Sequence, residues 1–477
     1  MPQYKRVLRG PWPTKTPRGS LLSAVPSCGC LRFLPLSNPE RDVEPGAEYD
    51  AEQRIAAAEL SLHAYWQQIE TRCHAGTARV LEAFVAHGLD EHHFASVTGY
   101  AHHDAGRQVT DAIYASVFGA EAALVRLQFV SGTHAIVCGL RGLLAPGQQI
   151  VSITGPPYDT LQTALGINRR ASSKQSPMAL TRQGFGYQEI DCFEGQRLRC
   201  DFTEAQQAAI AASHVAFIQR SRGYALRPSL GVDDIRRLIT AVKAINPDIN
   251  VLVDNCYGEF MEPLEPCNLG LASADLIAGS LIKNPGGGWV TTGGYVAGRA
   301  QWVERAAEAL TAPGLGMEGG STFNQTRTLL QGLYVAPTTV KEALKSMSLM
   351  ATVFDGLDYP VYPKPAGPFH DIIQVIELGS PEAVLAFCKT LQQCSPVGSR
   401  LTPLPAVTPG YDDEVVMAGG TFIFGSTIEL SADAPMRPPY AVYIQGGLVY
   451  SHARHVVGKL LAAGQITRCP QPAVAPV

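Results

Sequence analysis

The sequence predicts an α/β protein in which a large domain with a mixed, mostly parallel sheet is followed by a small C-terminal α/β domain. Two observations predict this architecture. Short runs rich in Val, Ile and Leu alternate with helical segments, as in a doubly wound sheet that is buried on both faces. Near residues 335–337 the helical pattern resumes, and a shorter set of helices and strands follows.

The elements of this pattern can be assigned in chain order. After Pro45 and Gly46, apolar residues at helical spacing predict an amphipathic helix, and a second helix ends near Gly88. We then predict strands over residues 123–130, 149–153, 214–218, 250–253 and 275–278, and helices over residues 135–144 and 232–245. The C-terminal unit is predicted to contain a helix from Thr339, a strand over 372–376, a helix over 381–394 and a strand over 421–428.

These elements divide the chain into five parts. The predicted parts are an N-terminal extension (1–46), a helical segment (47–110), a large domain (111–335), a small domain (336–460) and a tail (461–477). The extension is rich in proline, and it carries six basic residues but no acidic residue before Glu40. Such leaders are typical of organelle transit peptides, although a disordered tail or a misassigned start codon gives the same pattern.

The composition favours small-molecule chemistry inside the cell. With a formal net charge of -4 and 17% charged residues, the 477-residue chain has no strong field to attract nucleic acid or an anionic membrane. Its 11 cysteines are scattered, so we expect reduced thiols and no metal site. No apolar run reaches the roughly 18 residues of a membrane helix. We expect a soluble protein of the cytoplasm, or of a plastid or mitochondrion if the extension is a transit peptide.

One lysine stands where a coenzyme would bind. The segment Ser-Leu-Ile-Lys-Asn-Pro-Gly-Gly-Gly over residues 280–288 places Lys283 after a predicted strand and before a flexible turn. Ligands of open α/β sheets bind beyond the carboxyl ends of the strands. A lysine that forms a Schiff base must be neutral when it attacks an aldehyde, and burial lowers its pKa toward that state. The alternative is a surface lysine before a glycine turn.

A carboxylate ends a neighbouring predicted strand. Asp254 follows three apolar residues and lies 29 residues before Lys283. A carboxylate there can keep the nitrogen of a pyridinium ring protonated, and the protonated ring is an electron sink for a carbanion at the α-carbon of an amino acid. The alternative is a metal ligand or a helix cap, which would explain Asp254 but not Lys283.

Two further loops at strand ends could hold the rest of such a coenzyme. Ser131, Gly132 and Thr133 precede a predicted helix, whose first N–H groups suit a phosphate, although a simple N-cap is the alternative. Tyr158, in a Pro-Pro turn, could stack on a flat heterocycle or be a packing residue. The order phosphate loop, aromatic ring, acid and lysine predicts pyridoxal 5′-phosphate held as a Schiff base on Lys283.

Longer motifs around these residues resemble a known family. The motifs are SGTHAI from Ser131, QRSRGY from Gln219, VDNCYGEF from Val253, AGSLIKNPGGG from Ala278, TGGY from Thr292, SPVGS from Ser395, MAGGTFIFGSTIELSAD from Met417, RPPY from Arg437 and QGGL from Gln445. They are similar to the methionine γ-lyase-like proteins among the fold type I pyridoxal-phosphate enzymes. Members of this family are often described as aluminium-resistance or cystathionine β-lyase-related proteins.

The resemblance implies a fold and a set of site residues. The fold is a large domain of the aspartate aminotransferase type with a small C-terminal domain, assembled as a homodimer or homotetramer with sites at subunit interfaces. Lys283 is similar to the Schiff-base lysine, Asp254 to the partner of the pyridinium nitrogen and Tyr158 to the stacking aromatic residue. The family's phosphate ligands are similar in position to Gly132, Thr133 and Ser280. Ser131, which precedes Gly132, belongs to the same predicted cofactor site.

This chain departs from the family pattern in a stretch that reaches the phosphate of the neighbouring subunit in related lyases. Where relatives have a tyrosine, this chain has His102, while Tyr100 and Arg107 are kept as in the relatives. The resemblance therefore implies that Tyr100 and Arg107 are cofactor ligands, and it leaves the contact of His102 open.

A second departure concerns the substrate carboxylate. Relatives often carry an arginine two residues before an Asp-Ile-Ile segment, where this chain has Phe369. If that arginine binds the carboxylate in relatives, Arg222, Arg400 or Arg437 must do so here.

The predicted reaction is cleavage of a carbon–sulfur bond in an amino acid such as cystathionine, cysteine or methionine. Lys283 would remove the α-proton, and a β-substituent could then leave at once. A γ-substituent needs a second proton transfer at Cβ, in which Tyr158 could take part, and the sequence does not choose between the two. An aminotransferase, a racemase or an aldolase would use the same lysine and carboxylate. A stress-tolerance protein that binds the coenzyme without lyase activity is a further alternative.

Overall fold

The computed structural model of the chain describes residues 34–35, 45–95, 97–99, 104–167, 176–407, 411 and 413–464. The predicted transit peptide lies almost entirely outside the described residues, as do Tyr100, His102 and the tail beyond residue 464. Ten α-helices and sixteen strands make up the described part of the chain. None of these helices combines the length and the apolar character that crossing a membrane requires.

Helices and strands alternate through most of the chain, as a doubly wound sheet requires. The helices are α1 (Pro45–Ala86), α2 (Ala105–Phe118), α3 (Gly132–Leu143), α4 (Asp159–Leu165), α5 (Glu204–Ala211), α6 (Val232–Ile245), α7 (Ala300–Leu310), α8 (Thr326–Asp355), α9 (Pro381–Gln393) and α10 (Tyr450–Ala462). The strands are β1 (Leu34–Pro35), β2 (Ala122–Arg126), β3 (Gln149–Ser152), β4 (Gly186–Glu189), β5 (Phe193–Glu194), β6 (Arg197–Leu198), β7 (Val215–Gln219), β8 (Asn250–Asp254), β9 (Leu276–Ser280), β10 (Gly294–Gly298), β11 (Val361–Tyr362), β12 (Ile373–Glu377), β13 (Leu401–Thr402), β14 (Val415–Ala418), β15 (Ser431–Pro435) and β16 (Ala441–Gln445).

Seven strands form the large sheet, in the order β2-β10-β9-β8-β7-β3-β4. The strands from β9 to β4 are parallel to one another, whereas β10 is antiparallel to both of its neighbours. All five strands predicted for this domain are present, and the largest difference is that β2 ends at Arg126 rather than at residue 130. The apolar pattern does not indicate β10, because Gly-Tyr-Val-Ala-Gly is a short apolar run between glycines.

Both faces of the large sheet are covered by helices. Alternate residues of a strand point to opposite faces, so Leu252 of β8 packs on the side of α3, while Val251 and Val253 join the core on the other side. A Cβ on Gly139 of α3 would lie 2.7 Å from Leu252 Cδ1, so this close packing requires glycine. The carboxyl ends of the strands are therefore the edge at which polar side chains can converge.

Five antiparallel strands form the small sheet, in the order β11-β12-β16-β15-β14. The strand predicted over residues 372–376 is β12, and the helix predicted over 381–394 is α9. The strand predicted over 421–428 is wrong, because that segment is a loop. Ile423 and Ile428 are buried from this loop, whereas Phe422 and Phe424 are exposed, and the neighbouring chain pairs over β14, β15 and β16.

Two long helices differ from the prediction. The prediction of two helices before Gly88 is wrong, because α1 is continuous over 42 residues. α8 begins at Thr326 rather than at Thr339 and continues through Pro337, so the predicted boundary between residues 335 and 336 lies inside one helix. A Cβ on Gly76 of α1 would lie 3.1 Å from Pro337 Cβ. Packing against α1 therefore stabilises a helix that a proline would otherwise interrupt.

We expect the substitution Leu252→Ala to destabilise the protein by about 2–5 kcal/mol, because it leaves a cavity between β8 and α3. The matched control is Leu60→Ala on α1, where the side chain is 79% exposed and the expected change is about 0.5 kcal/mol or less. Urea unfolding of both variants at one protein concentration measures the difference. Equal losses of stability in the two variants would contradict the assignment of Leu252 to the core.

Candidate active site

A cavity that is partly open to solvent, with about 600 Å³ of empty space, lies between the carboxyl ends of the parallel strands and one face of the small sheet. Residues at or just after the ends of β3, β7, β8 and β9 line one side, and residues of β12, β15 and β16 line the other. The lining residues are Tyr158, Asp159, Gln219, Ser221, Gly223, Tyr224, Asp254, Cys256, Tyr257, Lys283, Ile373, Tyr411, Asp433, Tyr443 and Gln445. The fold thus brings together three residues singled out in the sequence, Tyr158, Asp254 and Lys283.

Lys283 enters the cavity from the turn after β9. Its Nζ atom lies 3.9 Å from the centroid of the Tyr257 ring. Burial disfavours the ammonium form, but the acidic groups around it, Cys256, Tyr257 and Asp254 among them, outweigh burial and raise the pKa of Lys283. The lowering expected from burial alone is therefore overcome by the neighbouring groups.

Asp254 is the last residue of β8, which lies beside β9 in the sheet. Its Oδ1 atom accepts a hydrogen bond from the backbone N–H of Cys256 at 3.1 Å. Burial raises the pKa of Asp254, and the charge of Lys283 opposes this rise. A turn rather than an α-helix follows β8, so Asp254 does not cap a helix. The carboxylate and the amine stabilise each other in a site that would disfavour either one alone.

The N-terminus of α3 lies close to the ends of β8 and β9. A Cβ on Gly132 would lie 3.1 Å from Ser280 Cβ and 3.5 Å from Cys256 Sγ, so glycine permits this approach. Ser131 is the N-cap of α3, and its hydroxyl accepts the backbone N–H of His134 at 3.2 Å. The N-cap alternative therefore holds for the Ser131 side chain, while the first turn of α3 still offers N–H groups to an anion.

Tyr158 is fixed by polar contacts at both ends. Its hydroxyl lies 2.8 Å from Thr133 Oγ1, and its backbone N–H donates to Gln219 Oε1 at 2.8 Å. Burial raises the pKa of Tyr158, so the phenol is neutral at physiological pH. Thr133 thus connects the N-terminal turn of α3 to the aromatic ring in the cavity.

Buried polar residues support the floor of the cavity, which is the segment after β8 that carries Asp254 and Tyr257. Arg220 is fully buried and donates to Asn255 Oδ1 at 2.8 Å, and Asn255 donates to Glu265 Oε2 at 3.0 Å. Tyr257 has a φ of 70°, which is unfavourable for a residue with a side chain and persists only where surrounding contacts hold it. This network fixes the backbone that carries Asp254 and Tyr257.

Glu259 is a fully buried acid two residues after Tyr257. Its Oε1 atom accepts the hydroxyl of Tyr295 at 2.7 Å, and its backbone carbonyl accepts Asn284 Nδ2 at 3.0 Å. Among the residues that the structure describes, none makes a hydrogen bond to its Oε2 atom. Burial raises the pKa of Glu259 to about 8, so the acid is mostly protonated at neutral pH.

The three arginines predicted for the substrate carboxylate lie in different environments. Arg400 is exposed, and Arg437 lies near the surface with Nη1 2.7 Å from Asp413 Oδ2. Arg222 is buried behind the cavity, where it donates to the backbone carbonyl of Tyr362 at 3.2 Å. Burial lowers the pKa of Arg222, while Asp371 opposes this effect. Its Nε atom has no hydrogen-bond partner among the described residues.

The cavity lining includes neither Phe369, a departure from the family pattern, nor Arg107, which is kept as in the relatives. Phe369 is buried in the core, and its ring centroid lies 6.1 Å from that of Tyr65. Arg107 is buried near Asp104 and donates to the carbonyl of Gly320 at 3.2 Å. A cofactor contact from Arg107 would have to be made in a neighbouring subunit, and this role stays a prediction.

Several residues that line the cavity have no role predicted from the sequence. Tyr224 and Tyr257 lie inside the motifs QRSRGY and VDNCYGEF, which is a signal that could have identified them. Asp433 lies in β15 between two buried alanines, and it is the last residue of the motif MAGGTFIFGSTIELSAD, which is a signal of the same kind. Its position in the cavity depends on how the small sheet packs.

Comparison with known proteins gives a consistent result. A model of the family described as methionine gamma-lyase matches residues 51–464. The protein YnbB of Bacillus subtilis strain 168 is 44% identical over 391 residues, which cover 82% of this chain and 91% of YnbB.

Solved structures share the fold. That of a carbon-sulfur lyase involved in aluminum resistance from Clostridium novyi NT matches with a TM-score of 0.80 and 39% identity, over 88% of this chain and 96% of that chain. The pyridoxal-5′-phosphate dependent protein YhfS from Escherichia coli matches with a TM-score of 0.54 and 16% identity, over 83% of this chain and 97% of that chain. The predicted fold type I architecture is confirmed.

We expect Glu259→Gln to reduce the loss of stability at rising pH. Because the pKa of Glu259 is about 8 in the folded protein and near 4.5 otherwise, the folded protein binds more protons between these values, and its stability falls as the pH rises through this range. Glutamine removes the titration and keeps an acceptor for Tyr295. Thermal unfolding midpoints at pH 6 and pH 8 measure the effect, with exposed Glu82→Gln as the control. An unchanged pH dependence in Glu259→Gln would contradict the prediction.

Proposed function

The chain belongs to the methionine gamma-lyase family, as its motifs predicted, and on this basis we propose that it is a pyridoxal-phosphate-dependent lyase that cleaves the carbon–sulfur bond of a sulfur amino acid. The observation that carries the proposal is the pairing of Lys283 and Asp254. Asp254 ends one strand and Lys283 follows the adjacent parallel strand. Both residues line one cavity and act on each other electrostatically. The name of the Clostridium novyi relative, a carbon-sulfur lyase, supports the reaction class.

The residues around the cavity fit pyridoxal 5′-phosphate. The absence of a side chain on Gly132 leaves a cradle at the N-terminus of α3, beside Ser280, and free N–H groups there suit a phosphate. Thr133 offers a hydroxyl next to this turn. The buried carboxylate of Asp254 suits a protonated ring nitrogen, and the amine of Lys283 suits an aldehyde. When bound, the coenzyme supplies an electron sink for negative charge at the α-carbon of the substrate.

Lys283 is the residue that moves the proton at the α-carbon. Its amine lies in the cavity over the ring of Tyr257, which limits where Nζ can go. The neutral phenol of Tyr158, linked to Thr133, is suited to donate a hydrogen bond or a proton near the leaving sulfur. A β-elimination needs one proton removed by Lys283, whereas a γ-elimination needs a second transfer at Cβ, for which Tyr158 is the available group.

Arg222 is the residue that we propose to bind the substrate carboxylate. Of the three candidate arginines, it alone is buried next to cavity residues, since Ser221 and Gly223 on either side of it line the cavity. Its Nε atom faces Asp371 Oδ2 at 3.9 Å, which is too long for a hydrogen bond, so this donor lacks a hydrogen-bond acceptor among the described residues. A carboxylate ligand would supply that acceptor and stabilise the buried guanidinium.

The test of the proposed function is the identity of the products. With a sulfur amino acid as substrate, the purified protein should be yellow and should release a thiol, ammonia and a keto acid. Pyruvate indicates β-elimination and 2-oxobutyrate indicates γ-elimination. Lys283→Ala should lose the visible absorption and reduce the rate by at least about 10³-fold, because one residue both holds the coenzyme and moves the proton. Exposed Lys389→Ala is the control and should retain both properties.

Other outcomes would overturn the proposal. A keto acid formed without ammonia, at the expense of a second amino acid, would identify an aminotransferase. A yellow protein that is inert toward every sulfur amino acid would identify a coenzyme-binding protein without lyase activity. A colourless protein after purification with excess coenzyme would refute the assignment of Lys283.

Truncation of the arginines separates the candidates for carboxylate binding. We expect Arg222→Ala to lower kcat/KM by roughly 10²-fold, mainly through KM, and Arg222→Lys to recover part of the loss. Arg400→Ala and Arg437→Ala should change kcat/KM by about twofold or less, because both side chains lie near the surface. Steady-state kinetics of the four variants measure this. A larger loss in Arg437→Ala than in Arg222→Ala would reverse the assignment.

A further inference from the structure

One face of the small sheet forms a wall of the cavity opposite the parallel strands. Asp433 on β15 and Tyr443 on β16 are paired in register, and both line the cavity together with Gln445. The neighbouring residues Ala432 and Ala434 point to the other face, into the core. Strand alternation therefore presents Asp433 to the same space that Lys283 enters from the large sheet.

Asp433 is a carboxylate surrounded by neutral partners. Gln445 Nε2 donates to its Oδ2 atom at 3.2 Å, and Tyr224 also makes a side-chain hydrogen bond to it. No basic side chain within the described part of the chain forms an ion pair with it. Burial raises the pKa of Asp433 to about 6, and the two hydrogen bonds and the charge of Lys283 oppose that rise. At neutral pH the group is therefore mostly an anion in a confined space.

The charges of the cavity lining do not balance. Asp254 and Asp433 line it together with Lys283, the basic residue of the lining. Lys283 acts on both Asp254 and Asp433, so a single amine opposes two carboxylates. Asp433 is partly buried, and a carboxylate with limited access to water is stabilised by a nearby cation, so a ligand that brings a positive group to Asp433 is favoured. The carboxylate of a substrate, in contrast, would be repelled there.

We propose that Asp433 binds a second ammonium group of the substrate, carried by the half of the molecule that leaves with the sulfur. The substrate class is then a thioether with an amino acid at each end, such as cystathionine, rather than methionine or cysteine, which have one amine. This inference rests on the proposed lyase function. Gln445 and Tyr224 hold the Asp433 carboxylate in position, since both donate hydrogen bonds to it.

A pair of matched thioethers tests the inference by kinetics. Cystathionine is compared with the one analogue that lacks the amine of the leaving half, which is S-(3-carboxypropyl)cysteine for a β-elimination and S-(2-carboxyethyl)homocysteine for a γ-elimination. We expect the wild-type holoenzyme to prefer cystathionine in kcat/KM by roughly 10- to 100-fold, the range of one charge-assisted hydrogen bond. Asp433→Asn should reduce that ratio to about 1, and Asp433→Glu should keep part of it. Exposed Asp248→Asn is the control and should keep the wild-type ratio.

A binding measurement separates this inference from the lyase function. 2,7-Diaminooctanedioate has a methylene in place of the sulfur of cystathionine and cannot lose a thiol, and 2-aminooctanedioate lacks its second amine. Isothermal titration calorimetry on the wild-type and Asp433→Asn holoenzymes should show tighter binding of the diamino compound, by roughly 10- to 100-fold, only in the wild type.

The outcomes are distinguishable. Equal kcat/KM of the wild type for cystathionine and for the analogue that lacks the amine of the leaving half, or a preference that Asp433→Asn retains, would overturn the role of Asp433 while leaving the lyase intact. If no thioether is cleaved but calorimetry shows the preference for the diamino compound and its loss in Asp433→Asn, the ammonium site stands and the proposed reaction fails. Equal binding of the two dicarboxylates by the wild type would refute the site whatever the kinetics show.

Discussion

The electrostatic attraction between the amine of Lys283, which lines the cavity, and the buried carboxylate of Asp254 is the interaction on which the rest of this structure depends. Asp254 pairs in register with Ala278 of β9, and Lys283 follows five residues later along the same strand and turn. A parallel sheet delivers both groups to one edge, because the carboxyl ends of adjacent strands coincide. Burial would strongly disfavour the charge of either side chain alone, so each group requires the other as its counter-charge.

The surrounding residues serve to keep this pair in place. The fully buried Arg220 and Asn255 tie down the segment after β8, and Tyr257 is held there in a left-handed backbone conformation. Gly132 lets the N-terminus of α3 approach the same strands. The floor of the cavity is therefore rigid, as a site that must orient a reacting atom requires. The neutral acid Glu259 adds no further charge at neutral pH to a site that already holds an anion and a cation.

The two sheets contribute different chemistry to the cavity. The parallel sheet supplies the charged pair and the turn of α3, whereas the antiparallel sheet supplies Asp433, Tyr443 and Gln445. The long helix α8 belongs to both parts of the chain, so the position of one sheet relative to the other is set by a continuous element. The large sheet therefore carries the residues of the proposed reaction. The small sheet carries the residues that we propose to recognise the leaving half of the substrate.

The sequence by itself determines the local parts of this protein. Strands 250–253 and 275–278 are visible as apolar runs, and Asp254 and Lys283 are visible because each interrupts such a pattern at its end. Pro337 wrongly predicts a helix boundary, because the local sequence does not show that α1 packs against the proline. The apolar segment 421–428 wrongly predicts a strand, because the local sequence does not show that the segment pairs with no strand. The place of Asp433 and the choice among three arginines are decided only by tertiary structure, because burial and charge pairing depend on residues more than a hundred positions apart.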